Sequence, residues 1–277
     1  MNIADRYYKQ NLSEILFAGN IDENPRPKWA DGTPAHSKFI TAVTEKYNIY
    51  EGQFPIPTLR NTAIKTGIKE ILWIYQKQSN CLDQARAMGI NWWDSWDIGN
   101  NTIGHRYGHT IKKYDLMNKL LSGLGKDPFG RRHIIDMYQY ESLEETAGLN
   151  PCAFMTIWSV RRVGKFDMFL DMTLIQRSND YIVAGYINKI QYVALMMMVA
   201  GHLGYIPGEF THFTQNLHIY DRHMPVAEKL LAQKPLNVNP FIRLPEQKNF
   251  YDYKVEDFEI YNIKDIPKLA EKLEVAI

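Results

Sequence analysis

Residues 152–177 read CAFMTIWSVRRVGKFDMFLDMTLIQR. On either side of Val163-Gly164-Lys165 the stretch is rich in β-branched, aromatic and long apolar residues. It therefore predicts two strands, Cys152–Arg161 and Lys165–Arg177, joined by a turn at the glycine. Ile134–Tyr138 and Phe210–Tyr220 have the same character and are predicted strands. Between the last two strands lies Asn188–Gly204, a long apolar helix whose Met196-Met197-Met198 reads as core packing rather than a cofactor box. Strands that mostly follow one another, with helices inserted irregularly, indicate an α+β fold rather than a doubly wound sheet.

Upstream, Tyr8–Phe17 reads as an amphipathic helix. Arg60–Gln78 places Ile64, Gly67, Ile68, Ile71, Leu72 and Tyr75 on one helical face, which predicts a core helix. Tyr114–Gly123 is a further predicted helix, ended by its glycine. The polar, Pro-rich segment Asp22–His36 (DENPRPKWADGTPAH) reads as a surface loop of the kind that also carries binding residues. No repeat or linker divides the 277 residues, so the expectation is one domain over residues 1–277.

Thirty-two Lys plus Arg against 31 Asp plus Glu leave a net charge of +1. That balance argues against extended nucleic-acid or anionic-membrane binding, and leaves room for a local anion site. The two cysteines, Cys81 and Cys152, cannot build a disulfide framework or an all-cysteine metal site, and their scarcity suits a reducing cytoplasm. The start, MNIADRYYKQNLSE, is too polar and acidic for a targeting peptide, and the longest apolar run, Val193–Ala200, is far short of the roughly 20 residues that span a bilayer.

Cys152 has two readings, a buried small hydrophobe or a nucleophile, and the second requires positive charge nearby to hold the thiolate. Arg131-Arg132 and Arg177-Ser178 could supply that charge and, together, recognise a phosphate monoester. In His218-Ile219-Tyr220, strand alternation puts His218 and Tyr220 on one face. No histidine pair has compact metal-ligand spacing joined to carboxylates, so no metal is expected. There is no Gly-rich phosphate loop and no Gly-x-Ser-x-Gly elbow. The residues alone stop at an α+β protein with a candidate cysteine nucleophile acting on an anion.

The ordered set of segments resembles the thymidylate synthase family, nearly end to end. It comprises Arg26, Lys28-Trp29 and Asp31-Gly32-Thr33-Pro34-Ala35-His36, then Phe54-Pro55-Ile56, Glu70-Ile71-Leu72-Trp73 and Trp93-Asp94-Ser95-Trp96. Ile103-Gly104, Tyr107-Gly108, Arg131-Arg132, Pro151-Cys152 and Gln176-Arg177-Ser178-Asn179-Asp180 follow. Asn188, His218-Ile219-Tyr220 and Val275-Ala276-Ile277 complete it. The extended Pro-rich segment resembles the branch of the family found in some Gram-positive bacteria.

The resemblance implies a curved mixed sheet flanked by helices, with sheets packed back to back in a homodimer. It implies reductive methylation of dUMP to dTMP, with 5,10-methylenetetrahydrofolate giving both the one-carbon unit and the hydride. Cys152 would add to carbon 6 of the pyrimidine and make carbon 5 nucleophilic. Arg26, Arg177 and Ser178 match phosphate ligands, and Arg131 and Arg132 match a pair reaching into the neighbouring subunit's site. Asn188 matches the reader of the pyrimidine edge, and His218 and Tyr220 the pair on the deoxyribose hydroxyl. Glu70 matches the acid of a proton-relay network, and Tyr107 the residue assisting proton removal at carbon 5. Trp93, Asp180, Ala276 and Ile277 match folate contacts or closure.

Three positions depart from the pattern. Ala184-Gly185-Tyr186-Ile187 stands where the family commonly has Gly-x-Pro-Phe, Asn216 stands for an aspartate, and Ala153 for a histidine. The first two lie near the pyrimidine. They keep open a pyrimidine deoxynucleotide hydroxymethylase acting on dUMP or dCMP, in which water replaces hydride. A catalytically silent nucleotide- or RNA-binding relative is disfavoured by the joint presence of Cys152, Arg177, Asn188, Glu70 and Tyr107.

Overall fold

Gly164 has φ +66°, a left-handed conformation that costs glycine nothing sterically. The strands on either side of it pair antiparallel, as the turn requires. The computed structural model describes residues 1–245 and 247–277. Along the chain come α1 (Ile3–Ala18), β1 (Asn20–Ile21), β2 (Ser37–Asn48), α2 (Ile64–Ile71), α3 (Leu82–Ala87), α4 (Gly108–Lys113), α5 (Leu116–Lys126) and β3 (Ile134–Asp136). There follow α6 (Tyr140–Glu145), β4 (Ala153–Val163), β5 (Asp167–Asp180), α7 (Gly185–Leu203), β6 (Ile206–Tyr220), α8 (Met224–Ala232), β7 (Phe241–Arg243) and β8 (Glu259–Tyr261). Among the described residues β1 to β6 form one sheet in the order β1-β2-β6-β5-β4-β3, and β7 pairs with β8. The β5–β6 pair is parallel and its neighbours are antiparallel, so the sheet is mixed and the fold is α+β.

The parallel pair needs a crossover, and α7 is that crossover. The helix is apolar all round because it is buried, with Met196, Met197 and Met198 all in the core. It ends at Gly204, whose φ of +71° lets its N–H return to the Ala200 carbonyl. The strands alternate between two faces. Trp158, Met172 and Phe210 are cross-strand neighbours on the buried face, whereas Met155, Ile175 and Phe213 are neighbours on the half-exposed opposite face.

One charged pair crosses the core. Lys189 of α7 has no solvent exposure, and its ammonium lies 3.1 Å from Glu45 of β2, which is 2% exposed. Asn11 donates to the same carboxylate at 2.9 Å, the Tyr47 hydroxyl donates to its other oxygen, and the rings of Tyr181 and Tyr186 lie against the ammonium at 4.9 and 4.4 Å.

Two sequence expectations need correction. The helix expected over Arg60–Gln78 begins at Ile64 and changes to a π-helix over Leu72–Gln76, although Ile64, Gly67, Ile68 and Ile71 are buried as expected. The helix expected over Tyr114–Gly123 begins at Leu116 because Asp115 is left-handed, and it runs through its glycines to Lys126. Gly123 does not end it; a Cβ there would meet the His133 ring at 3.1 Å, so the glycine permits close packing. Strand β2 had no clear sequence signal. Its outward positions are polar and Ala42 interrupts it with φ +58°, which breaks the apolar alternation. Among the described residues no helix is long and apolar enough to cross a membrane.

Removing Lys189 strands Glu45 in the core. Lys189→Met is expected to lower the unfolding free energy by about 3–5 kcal/mol, and adding Glu45→Gln should restore much of the loss. Urea denaturation of the wild type, the single and the double variant checks this; additive losses would show that the two groups are not energetically paired.

Candidate active site

The fold gathers one end of β5, the start of β4, the N-terminal half of α7 and the chain terminus around a cavity of about 530 Å³. Cys152 stands just before β4, where a bulge between Ala153 and Met155 interrupts the register with β5. A bulge re-aims side chains at a strand end; here the Cys152 carbonyl still accepts the Arg177 N–H at 2.9 Å, and the Cys152 thiol lies beside the Arg177 guanidinium. The Arg177 Nη2 atom lies 3.4 Å from the Cys152 Sγ and donates to the Asn150 carbonyl at 2.7 Å, while Nε donates to the Pro151 carbonyl at 3.0 Å. Burial pushes the Cys152 thiol up from its usual value, and the charges of Arg177 and Arg26 pull it down. The two arginine charges favour the thiolate that a nucleophile requires, against the burial that favours the thiol.

Tyr107 accepts a hydrogen bond from the Cys152 backbone N–H at 3.2 Å. Its φ of +49° is unusual for a side chain of that size, a local strain of the kind kept where position matters. Burial, with the Cys152 charge next, drives its hydroxyl far above the ordinary phenol value, so it stays protonated.

Glu70 of α2 is 7% exposed. Desolvation pushes its carboxyl up to about 7, against hydrogen bonding from Trp92 and Gln191. Trp92, which the sequence reading passed over beside Trp93, donates its indole N–H to the Glu70 carboxylate. Trp93 packs between Trp96 and Tyr107, with ring centroids at 5.5 and 5.2 Å, and lines the cavity.

Asn188, at the start of α7, is held on both sides. Its Oδ1 accepts from Gln176 at 3.1 Å and from Asn179 at 3.3 Å, and its Nδ2 donates to Gln191 at 2.9 Å. On β6 the rings of His218 and Tyr220 meet edge to face at 4.9 Å, which fits the same-face reading. Asn216 meets His218 Nδ1 at 2.9 Å and keeps that ring oriented without adding charge, while burial draws the imidazole below its usual value. Asp180 caps the turn before α7 by accepting from the N–H groups of Ile182 and Val183.

The chain terminus forms part of the wall. Ile277 exchanges backbone hydrogen bonds with Lys28, at 2.7 and 3.0 Å, and Ala276 and Ile277 line the cavity. Arg222 fastens this arrangement by bonding Glu274 at 2.9 Å and Asp31 at 2.6 Å across the Trp29 ring. The Pro-rich segment is thus an ordered loop that brings Arg26 to the cavity.

Cys152, Glu70, Tyr107, Arg26, Arg177, Ser178, Asn188, His218, Tyr220, Trp93, Asp180, Ala276 and Ile277 therefore share one cavity. Arg131 and Arg132 do not; they are exposed ahead of β3. Gln176, Asn179 and Gln191 were missed as site residues. Gln176 and Asn179 sit inside the quoted Gln-Arg-Ser-Asn-Asp motif, and Gln191 is one helical turn beyond Asn188, a usable signal. Among the described residues His105, His109 and Glu145 form a compact cluster elsewhere. The two imidazole rings stack at 3.9 Å with planes 8° apart, so their in-plane lone pairs do not converge on one ion, and Lys113 already occupies Glu145.

A family model described as thymidylate synthase matches residues 6–276. The chain is similar to thymidylate synthases of Streptococcus gordonii and Streptococcus sanguinis, with 47% and 46% identity over 100% of each chain. It is also similar to the solved structure of thermostable thymidylate synthase A from Bacillus subtilis, with TM-score 0.89, 32% identity and 99% of both chains covered.

The Glu70 shift carries a stability consequence. The folded protein holds this proton more tightly than the unfolded chain, whose carboxyl titrates near the ordinary 4.5. The resulting stabilisation is complete below about pH 4.5 and is lost as pH rises through about 7. Between pH 5 and pH 8 the wild type should lose about 2–3 kcal/mol more unfolding free energy than Glu70→Gln. Parallel urea titrations at the two pH values read this difference, and identical pH dependence would rule out the raised carboxyl.

Proposed function

The chain belongs to the thymidylate synthase family, and from that premise we propose how its own residues carry the reductive methylation of dUMP to dTMP. The co-substrate, 5,10-methylenetetrahydrofolate, supplies the one-carbon unit and the hydride and leaves as dihydrofolate. The observation that carries the assignment is the Cys152 thiol 3.4 Å from the Arg177 guanidinium, in a cavity that also holds Asn188, Glu70 and Tyr107.

Arg26, Arg177 and Ser178 bind the phosphate, and His218 and Tyr220 take the deoxyribose hydroxyl. This fixes carbon 6 over Cys152, and positioning of that kind removes much of the entropic barrier to addition. As the thiolate adds, charge develops on the pyrimidine carbonyl. Asn188 donates to that oxygen, and a preorganised donor at such a site is worth roughly 3–4 kcal/mol in other oxyanion sites. Glu70, titrating at about 7, is poised to hold or give a proton there near neutrality. Tyr107, kept neutral by burial, serves the proton leaving carbon 5. The apolar wall of Ile71, Ile74, Trp92, Trp93, Trp96 and Ile187 suits a flat folate ring, with Asp180 and the Ala276-Ile277 terminus closing over it.

Residues 1–277 act as one domain, a reading supported by a core that runs from Ala4 to Ile266. The half-exposed row of Met155, Ile175 and Phe213 supports back-to-back packing of two sheets in a homodimer. In that dimer Arg131 and Arg132 complete the phosphate site of the second copy. Both cysteines are free, and a catalytic thiol favours a reducing, cytoplasmic setting.

The test is paired: tritium release from carbon 5 of dUMP, measured alongside dihydrofolate absorbance. Both signals are expected; tritium without dihydrofolate would mean the hydroxymethylase reaction. Cys152→Ser should bind dUMP and lose turnover by about 10³-fold or more, because a serine hydroxyl is scarcely ionised near neutrality. More than a few per cent residual activity in pure protein would refute the nucleophile.

Subunit mixing tests the shared site. Cys152→Ser and Arg131→Ala/Arg132→Ala are each inactive parents, and their heterodimer regains one intact site. No recovery after confirmed subunit exchange would remove the two arginines from the phosphate site.

A further inference from the structure

A carboxamide can be turned end for end with little change of shape. In one orientation Asn188 offers N–H to a uracil carbonyl and oxygen to the ring N–H. Turned over, it offers oxygen to the cytosine amino group and N–H to the bare ring nitrogen. An asparagine alone therefore cannot separate dUMP from dCMP; whatever fixes its orientation does so.

In this chain the fixing groups form a one-way series of donors. His212 Nε2 lies 2.9 Å from Gln176 Oε1, and Gln176 Nε2 donates to Asn188 Oδ1 at 3.1 Å. Asn188 Nδ2 donates to Gln191 Oε1 at 2.9 Å, and Gln191 in turn hydrogen-bonds the Glu70 carboxyl. His212, Gln176, Asn179 and Gln191 are all nearly inaccessible, so solvent cannot compensate a reversed amide. At pH 8 the series has a fixed end. Glu70, which titrates at about 7, is then mostly ionised and only accepts, so Gln191 turns its NH₂ to Glu70 and its oxygen to Asn188. The Gln191 stem is itself confined, packed over Gly67 of α2, where even an added Cβ would sit 3.2 Å from its Cγ.

We propose that Gln191 is a positioning residue that determines the choice of uracil over cytosine, by holding the Asn188 amide in the uracil-reading orientation. The inference rests on Asn188 as the base reader and adds to it the residue that sets its direction. Gln191 makes no hydrogen bond to the base in this arrangement; it acts through Asn188.

The experiment measures dissociation constants for dUMP and dCMP at pH 8 with the wild type, Gln191→Met, Gln191→Glu and Asn188→Asp. Methionine keeps the length and loses the acceptor; glutamate keeps the acceptor. Gln191→Met should reduce the dCMP/dUMP ratio of dissociation constants about tenfold. Gln191→Glu should keep the ratio within about twofold of wild type, even if its charge beside Glu70 weakens turnover with both nucleotides. Gln191→Leu serves the same comparison where methionine does not fold. A purely structural role would weaken both nucleotides together and leave the ratio alone; that result, or equal ratios in the methionine and glutamate variants, overturns the proposal. Asn188→Asp separates the two layers. If it shifts the ratio and Gln191→Met does not, only the Gln191 role fails. If it shifts nothing, Asn188 is not the base reader and both fall.

Discussion

A lysine ammonium with no access to water anchors to the sheet the helix that carries Asn188. Burying an unpaired charge is costly enough that Lys189 is tolerable only with Glu45 beside it. Desolvation pushes the ammonium's proton affinity down, and the Glu45 charge restores part of it. The pair ties α7 to β2, and α1 contributes Asn11 to the same carboxylate. Successive helical residues are rotated by about 100°, so anchoring Lys189 toward the sheet turns Asn188 toward the cavity. The rotation of α7, and with it the placement of Asn188 and Gln191, is fixed by this pair together with the apolar packing of the helix.

The same core accounts for the departure at Ala184-Gly185-Tyr186-Ile187. Ala184 and Ile187 line the cavity, whereas Tyr186 turns inward, donates to the Ala4 carbonyl at 2.7 Å and lies against Lys189. The unusual residue thus belongs to the support beneath α7 rather than to the cavity wall. Asn216 is likewise conservative in effect: a neutral acceptor at 2.9 Å orients His218 as a carboxylate would, without a buried negative charge.

Electrostatically the cavity is graded. Arg26 and Arg177 make one end of the cavity positive, while burial keeps Tyr107 and His218 uncharged and brings the Glu70 carboxyl to titrate at about 7. A site built this way separates anion binding from proton handling, because each group's environment, rather than its residue type, selects its protonation state.

Much of this was legible in residue order alone. The two strands around Gly164, the buried α7 with its three methionines and the same-face pair His218 and Tyr220 all follow from local periodicity, which backbone geometry imposes wherever it occurs. The ordered motifs around Cys152, Arg177 and Asn188 pointed to the chemistry. Strand β2 escaped because its outward polar residues and the left-handed Ala42 mask its alternation, and the glycines of α5 misled because close packing against His133 uses the same residue as a helix stop. What only the tertiary structure decided is the partnering of groups far apart in the chain: Lys189 with Glu45, Trp92 with Glu70, Gln176 with His212, and the terminus with Lys28. Hydrogen-bond direction depends on which donors and acceptors burial brings face to face, and no local pattern encodes that.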